Sequence, residues 1–485
     1  MENKTRQSGV LLHITSLPNE YGLGTFSNAC ERTIEFLSNG GFKVWQVLPF
    51  NDCGYAKSPY SAVSVFAINP YFLDISRYLD INEVASLQLN RANIDKYIEA
   101  EKIDKAHEMI YQKNKDKYDY KAFCTKESYW LDDYALFKTL KHIDDKVAWS
   151  EWPEKIKKRD KVTLDGIRQQ YALEIDKHKF IQFLLYERWQ EIRRYAKERN
   201  VEIFGDMPMY VEFDSADVWS NPKNWKLDKG KPTLVAGVPP DYFCKEGQRW
   251  GNPIYDYDYM KTKKYDFWLK RFQKSAELYD IIRIDHFIAF ARYWAIPSTA
   301  KTATKGKWVK GAGDEVLKLV TSKVKVKIVA EDLGVVGQDV DALREKYNIP
   351  GLKVMQFAFD GEGDNMYQPH NFEKNTVAYI GTHDNDTYMG LLNEGHWDKI
   401  NRIKRYLGMP LEEGNDRVID NTILALYRSS ANMIILTAQD LLKLGTDARM
   451  NIPGSTENNW LWQLSRTLDL GMCGYYRELA KIYAR

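Results

Sequence analysis

The sequence of 485 residues has little excess charge of either sign. Its 69 Lys and Arg residues are matched by 67 Asp and Glu residues, which gives a formal net charge of +2 at pH 7. Proteins that bind nucleic acid or anionic membranes usually carry a strong basic surplus. The most basic run, KIKKRDK at 155–161, is interpreted as a solvated loop because the overall charge is balanced. We therefore expect neither nucleic acid nor a membrane as a partner.

Cysteine and long apolar runs are also scarce. The five cysteines are Cys30, Cys53, Cys124, Cys244 and Cys473. None forms a C-x-x-C pair, so neither a zinc ribbon nor a disulfide framework is indicated. No window approaches the ~18 apolar residues of a membrane span, and the N-terminus lacks the apolar core of a signal peptide. These absences predict a soluble, cytoplasmic protein.

Aromatic residues, in contrast, are abundant. The chain has 14 Trp, 31 Tyr and 20 Phe, together 13% of its residues. Trp and Tyr offer flat apolar faces with a polar tip, which suits sugar rings. A large hydrophobic core explains the same composition, so aromatic content alone does not assign a ligand.

Short apolar segments alternate with helical patterns along the chain. Eight of them have the composition of buried strands: 9–13, 44–48, 201–205, 281–284, 326–330, 353–357, 377–380 and 433–437. Polar alternation is weak in these segments, as expected when both faces of a strand are covered. The pattern predicts an α/β fold, a TIM (β/α)8 barrel, with an open doubly wound sheet as the alternative.

Two long stretches exceed the needs of a minimal barrel. We interpret 1–485 as a single catalytic barrel in which about 75–200 forms an inserted helical subdomain. The stretch at about 210–259 is rich in Pro, Gly and aromatic residues and is interpreted as a loop over the active-site face. Within it, Trp250 lies beside glycine, where an exposed ring would stack on a ligand. A buried anchoring Trp is the alternative.

Four predicted strands end in or near an acidic residue: Asp206, Asp285, Glu331 and Asp384. The carboxyl ends of barrel strands form the active-site face, so these side chains should converge. Because side chains alternate along a strand, Arg283 should face the same side as Asp285 and favour an ionised nucleophile. Partial burial of Glu331 would keep it protonated for acid catalysis. Purely structural roles remain open: a supporting ion pair for Arg283 and Asp285, and a helix cap for Glu331.

The cluster of His383, Asp384 and Asp386 is compatible with a metal site. It lacks an H-x-x-x-H pattern and a regular ladder of Asp residues, so we favour no metal. Two carboxyl groups on different strands plus a third acid fit retaining glycoside chemistry, in which one attacks the anomeric carbon and the other transfers the proton.

Long ordered motifs identify a family. They are GVLLHITSLP, SPYS at 58–61, GDMPMYV, DSADVW, AGVPPDYF, GQRWGNP, RIDHF, AEDLG, LKVMQFAFD, GTHDND and RMNIPG. Together they resemble the amylomaltases, also called disproportionating enzymes or 4-α-glucanotransferases, which are relatives of the α-amylases. The resemblance extends from about residue 9 to residue 454.

By this resemblance, Asp285 is the nucleophile, Glu331 the general acid/base and Asp384 the transition-state stabiliser. It further implies these substrate-binding residues: Tyr60, Trp250, Arg283, Asp332, Phe357, His383 and Asn451. The implied reaction moves α-1,4-glucan segments from a maltooligosaccharide or starch-type donor to glucose or a maltooligosaccharide, without metal or organic cofactor. A retaining α-glucan hydrolase is the main alternative. An inactive glucan-binding barrel and a metal-dependent sugar isomerase are less favoured.

The chain departs from the family pattern at two places. RIDHF is followed by Ile288 and Ala289 where relatives commonly have Arg-Gly, and the early glycine-rich motif continues with Thr25, Phe26 and Ser27 instead of Asp-Leu-Gly. The three acids are unaffected. The departures are expected to affect the choice of acceptor and the support of the strand that carries Asp285. The oligomeric state and the preferred glucan length do not follow from the sequence.

Overall fold

The computed structural model describes residues 6–53, 58–89, 100–143, 147–240, 245–334, 337–361, 363–455 and 457–485. Within the predicted helical subdomain, 90–99 and 144–146 lie outside the described residues. So do 241–244 of the predicted loop, which include Cys244. No helix in the described ranges is long and apolar enough to span a bilayer.

The strands, in chain order, are β1 (Gln7–Leu11), β2 (Val44–Gln46), β3 (Glu202–Met207), β4 (Leu227–Asp228), β5 (Lys231–Pro232), β6 (Leu234–Val238), β7 (Gln248–Pro253), β8 (Ile281–Ile284), β9 (Arg292–Pro297), β10 (Lys307–Lys310), β11 (Lys327–Ala330), β12 (Gly351–Val354), β13 (Thr376–Tyr379) and β14 (Met433–Thr437). Eight of them pair in parallel in the order β11-β8-β3-β2-β1-β14-β13-β12. The Ala330 N–H donates to the Pro350 carbonyl at 2.9 Å and joins β11 to the start of β12. The sheet is therefore a (β/α)8 barrel, as predicted, and not an open sheet.

Each predicted strand segment corresponds to one barrel strand, but two of them are shifted. The first was predicted at 9–13, and β1 is Gln7–Leu11. The sixth was predicted at 353–357, but β12 begins at Gly351 and gives way to a 3-10 turn, Met355–Phe357. The Gln356 N–H there donates to the Ile380 carbonyl at 3.0 Å, beyond the end of β13. The chain turns across the barrel rim at this point, which ends the strand early.

The helices are α1 (Asn28–Asn39), α2 (Ile81–Ser86), α3 (Ala100–Asn114), α4 (Lys121–Ile143), α5 (Glu154–Lys157), α6 (Lys161–Gln170), α7 (Ala172–Glu198), α8 (Ala216–Ser220), α9 (Tyr257–Thr262), α10 (Asp266–Leu278), α11 (Ile288–Ala291), α12 (Gly313–Lys323), α13 (Gln338–Lys346), α14 (Tyr388–Glu394), α15 (Trp397–Tyr406), α16 (Asn415–Arg428), α17 (Ala438–Leu442) and α18 (Cys473–Ile482). Ser27 caps α1 by accepting a hydrogen bond from the Ala29 N–H. Helices α2 to α7 all lie between β2 and β3. The longest of them, α7, contacts α1 and β3 and so belongs to the helical layer around the barrel.

The barrel wall has two apolar faces. One face of β8 carries Ile281 in a cluster inside the barrel, and the other carries Ile282 and Ile284 in the larger core beneath the helices. This alternation is the two-residue period of a strand. It places Arg283 on the inner face with Ile281, so that a charged side chain enters the barrel close to its carboxyl end.

The segment between β3 and β8 has more regular structure than its Pro- and Gly-rich composition suggests. Strands β6 and β7 pair in antiparallel fashion and join β9 and β10 in a four-stranded sheet ordered β10-β9-β6-β7. Gly237 makes this pairing possible, because a Cβ there would lie 2.1 Å from the Gln248 carbonyl oxygen. Trp250 is consequently on a strand and has a defined position.

Candidate active site

The predicted acids lie at the carboxyl ends of barrel strands. The Asp285 N–H donates to the Met207 carbonyl at 3.0 Å, and the Glu331 N–H donates to the Ile284 carbonyl at 3.0 Å. Each bond continues the ladder one residue beyond its strand. Both carboxyl-bearing residues are thus fixed by rigid backbone and not by a mobile loop.

Arg283 is the centre of the site and is only 4% exposed. Its Nη1 donates to Asp206 Oδ1 and Oδ2 at 3.0 and 2.8 Å, and to Asp285 Oδ1 at 2.8 Å. Burial lowers the pKa of Arg283, but the carboxylates of Asp206 and Asp285 outweigh this and raise the pKa well above its usual value. The guanidinium is therefore a permanent charge beside the predicted nucleophile.

Asp206 is a member of the site to which the sequence assigned no role. It is 3% exposed, and its neighbour across the β3–β8 ladder is Arg283. Burial raises the pKa of Asp206 to about 7, and Arg283 opposes that rise. The Tyr60 hydroxyl donates to Asp206 Oδ2 at 2.8 Å. The signal for this pairing is the strand register, which places an acid and an arginine opposite each other on the inner faces of β3 and β8.

Glu331 is held by two backbone donors. Oε2 accepts from the His286 N–H at 2.8 Å, and Oε1 accepts from the Leu333 N–H at 2.9 Å. Burial raises the pKa of Glu331 to about 7; Arg283 lowers it and Asp285 raises it further. A carboxyl group with a pKa near neutrality can both give and take a proton, as a general acid/base must.

Asp384 is more exposed than the other two acids, with 42% of its side chain accessible. The Asn451 amide donates to its Oδ1 at 2.7 Å, and Arg449 donates to its carbonyl oxygen at 3.0 Å. The His383 Nε2 lies 3.4 Å from its Oδ2. The segment around Asn451 thus orients Asp384 at the rim while leaving the carboxylate open to a ligand.

An aromatic wall adjoins these acids. The rings of Tyr60 and His383 stack with centroids 5.4 Å apart, and Trp460 packs 5.9 Å from each. Tyr60 Oη and His383 Nε2 are 2.9 Å apart. Burial lowers the pKa of His383, so the imidazole is neutral at pH 7. The sequence did not indicate Trp460, because no local pattern distinguishes it from a core tryptophan.

Trp250 is 37% exposed. Its ring meets the His286 imidazole edge to face, with centroids 4.8 Å apart, and its Nε1 donates to Gln248 Oε1 at 3.1 Å. The exposed ring therefore packs against the residue that directly follows Asp285. Phe357, 39% exposed, packs against Tyr367 at 5.5 Å.

Asp332 makes contacts of a different kind. Its Oδ1 accepts from the Leu352 N–H at 2.7 Å, and its Oδ2 lies 3.3 Å from Arg344 Nε. The side chain is 5% exposed. Asp332 follows Glu331 directly, and successive side chains of an extended chain point in opposite directions. Its carboxylate joins β11 to β12 and α13.

The described residues contain no group of three or more Asp, Glu, His or Cys side chains arranged to hold a metal ion. What the site does contain is a fixed cation between two carboxylates, a third carboxyl group with a pKa of about 7, an orienting amide and two aromatic surfaces. A distorted sugar ring with developing positive charge is the kind of transition state that such an arrangement stabilises.

Comparisons with known proteins agree with this chemistry. A family model described as 4-alpha-glucanotransferase matches residues 12–468. The 4-alpha-glucanotransferase of a Synechocystis strain is 38% identical over 499 aligned residues, covering 99% of this chain and 98% of the relative. That of Thermus thermophilus is also 38% identical and covers 95% of both chains.

Solved structures give the same result. The amylomaltase from Streptococcus agalactiae, determined in complex with acarbose, matches with a TM-score of 0.91 and 32% identity over 99% of both chains. The amylomaltase from Corynebacterium glutamicum shares the fold at a TM-score of 0.78 and 14% identity, over 99% of this chain and 75% of that one. The resemblance indicated by the motifs is confirmed, and the chain belongs to the 4-alpha-glucanotransferase family of enzymes.

Proposed function

We propose that this enzyme transfers α-1,4-glucan segments between maltooligosaccharides in the cytoplasm by a retaining double displacement. Asp285 attacks the anomeric carbon while Glu331 protonates the departing glycosidic oxygen, which leaves a covalent glucosyl-enzyme. Glu331 then accepts the proton of an acceptor 4-hydroxyl, whose oxygen displaces Asp285. Asp384 binds sugar hydroxyls most tightly in the distorted, cationic transition state.

One observation carries this assignment: the carboxyl groups of Asp285 and Glu331 have different environments. Asp285 is paired with the Arg283 guanidinium at 2.8 Å, whereas burial raises the pKa of Glu331 to about 7. A nucleophile must be ionised and an acid must hold its proton, so the pair suits the two roles.

The aromatic surfaces suggest where the sugars bind. We propose that the donor glucose binds next to Asp384, against the wall formed by Tyr60, His383 and Trp460. Arg283 lies beneath this position. Trp250 and Phe357, both partly exposed, are proposed to contact the acceptor side. Asp332, whose carboxylate contacts β12 and α13, is proposed to support Glu331 from behind and not to touch the sugar.

The test is incubation of the enzyme with maltotriose and chromatography of the products. Transfer yields glucose plus a ladder of longer maltooligosaccharides, with a constant number of reducing ends. A steady rise in reducing ends without longer products would reject transfer in favour of hydrolysis. An Asp285→Asn variant should form neither, because it cannot form the glucosyl-enzyme.

A matched pair of variants examines how water is excluded. Trp250→Ala opens the surface beside His286 and should raise the ratio of hydrolysis to transfer. Trp308→Ala is the control, since Trp308 is similarly exposed at 41% but lies on β10 and packs against Trp294. An equal change in both variants would mean that Trp250 has no special part in retaining the acceptor.

A further inference from the structure

A cavity of about 880 Å³ lies at the opposite end of the barrel from the acids. Its wall includes residues at or just before the amino ends of five barrel strands: Gln7, Lys43, Glu202, Asp280 and Lys327. The volume is in the range of small-molecule sites, roughly 300–1,000 Å³. Since the catalytic acids follow the carboxyl ends of the strands, this basal cavity is separate from the active site.

The basal cavity is strongly basic. Seven of its lining side chains are Lys or Arg and two are Asp or Glu, in a chain whose formal net charge is only +2. Both carboxylates are already paired: Glu202 with Lys327 at 2.7 Å, and Asp280 with Arg193 at 2.6 Å. Five cations therefore remain in excess. A chain-terminal carboxylate at Arg485 would offset one of them at most.

Two of these cations, the buried Arg485 and the half-buried Arg6, lie next to each other. The guanidiniums of Arg6 and Arg485 donate to the same carbonyl oxygens, those of Tyr427 and Ser429, at distances of 2.5 to 3.0 Å. Among the described residues, neither has an ion pair with a carboxylate. Burial, and to a smaller extent the charge of Arg6, lower the pKa of Arg485 to about 9. An anion in the cavity would relieve this repulsion.

The other three, Lys43, Arg194 and Lys197, also form no ion pair within the part of the chain that the structure describes. Arg194 and Lys197 are three residues apart on α7, so their side chains lie next to each other on the helix surface. Lys43 directly precedes β2. The cavity thus combines two inner guanidiniums with three outer cations, spread widely enough for more than one anionic group.

We propose that the basal cavity is a binding site for a small, multiply phosphorylated sugar. Lys and Arg supply the charge-assisted hydrogen bonds that phosphate groups prefer. Gln190 and Asn200 add polar side chains suited to sugar hydroxyls. None of the described lining residues is aromatic, so there is no ring on which a nucleobase would stack.

The experiment is calorimetric titration of the full-length enzyme with fructose 1,6-bisphosphate, with inorganic tripolyphosphate as a parallel probe. The test variant is Arg194→Gln with Lys197→Gln, both at exposed positions. The control, Lys301→Gln with Lys305→Gln, makes the same change in net charge on an exposed loop away from the cavity. A separate Lys43→Gln variant probes the cavity from a different element.

We expect one sugar bisphosphate per chain, bound about tenfold or more weakly by the test variant and unchanged in the control. Lys43→Gln should also weaken binding, all affinities should fall as salt rises, and maltotriose transfer should persist in every variant. Absence of saturable binding, equal weakening in the control, or tripolyphosphate binding without sugar bisphosphate binding would overturn the proposal. Competition by a single-stranded oligonucleotide at equal affinity would overturn it in favour of nucleic acid.

Discussion

Glu331, the proposed acid/base, is expected to set the pH at which transfer declines. The ordinary pKa of a glutamate is 4.5, and burial raises that of Glu331 to about 7. At pH 7 about half of the enzyme then holds the catalytic proton, against about 0.3% at the ordinary pKa, a gain of about 150-fold. Above pH 7 the protonated fraction falls about tenfold per pH unit. We therefore expect kcat/KM for maltotriose to decline with an apparent pKa near 7.

The assay is the initial rate of glucose release from maltotriose between pH 5 and about 9.5. Desolvation lowers the pKa values of the half-buried His286 and the buried His383, so both imidazoles are already neutral where the decline begins. Asp206, whose pKa burial also raises to about 7, is the other group whose loss of a proton would make kcat/KM decline in this pH range. An Asp206→Asn variant separates the two, because the decline should persist in it if Glu331 is responsible.

Thermal unfolding over the same pH range gives a second readout. Because the pKa of Glu331 is higher in the folded than in the unfolded protein, its contribution to stability is fully present below about pH 4.5. It is lost as the pH rises through about 7. The reasoning is refuted if kcat/KM stays constant up to pH 9, or if the decline disappears in Asp206→Asn while transfer continues.

Three further substitutions test the surroundings of the site. Arg283→Met leaves the Asp206 carboxylate buried without a cation and should lower the free energy of unfolding by about 3–5 kcal/mol, measured by urea denaturation. A loss below about 1 kcal/mol would contradict this. Tyr60→Phe keeps the ring but removes the hydroxyl that donates to Asp206 and lies 2.9 Å from His383 Nε2. We expect kcat/KM to fall while stability changes by about 1–2 kcal/mol. Unchanged kcat/KM would refute a role for the hydroxyl. Lys274→Met breaks a 2.6 Å ion pair with Glu127 in which both side chains are 2% exposed. It should cost about 3–5 kcal/mol of stability with little effect on kcat, and a selective fall in kcat would contradict that.

The fold was accessible from the sequence because each barrel strand is a local apolar run. The period-two alternation around Arg283 even placed its side chain on the same face as Asp285. The end of β12 was misjudged because the backbone of Gln356 bonds beyond β13, and no local pattern reports a contact of that kind. Local sequence therefore predicts a strand better than it predicts the turn that stops it.

The site was only partly accessible, for a related reason. The strand-end position of Asp206 predicted that it would converge with the other acids, but its pairing with Arg283 depends on the register between β3 and β8. Trp460 joins the site through packing against Tyr60 and His383. Both relations join segments that are distant along the chain. Asp332 illustrates the opposite case: it lies next to Glu331 in sequence, yet its carboxylate is turned away towards β12.

The way in which Glu331 is held bears on how such enzymes can diverge. Its two donors are the backbone N–H groups of His286 and Leu333, which any residue except proline supplies. Substitutions at these two positions can thus change the wall of the cleft, and with it the choice of acceptor, while Glu331 keeps both backbone hydrogen bonds. The left-handed backbone at His286, with φ of +48°, narrows the tolerated replacements to residues that adopt it readily, such as Gly or Asn. At His286, beside the proposed nucleophile, the hydrogen bond to Glu331 thus tolerates many side chains, whereas the backbone conformation tolerates few.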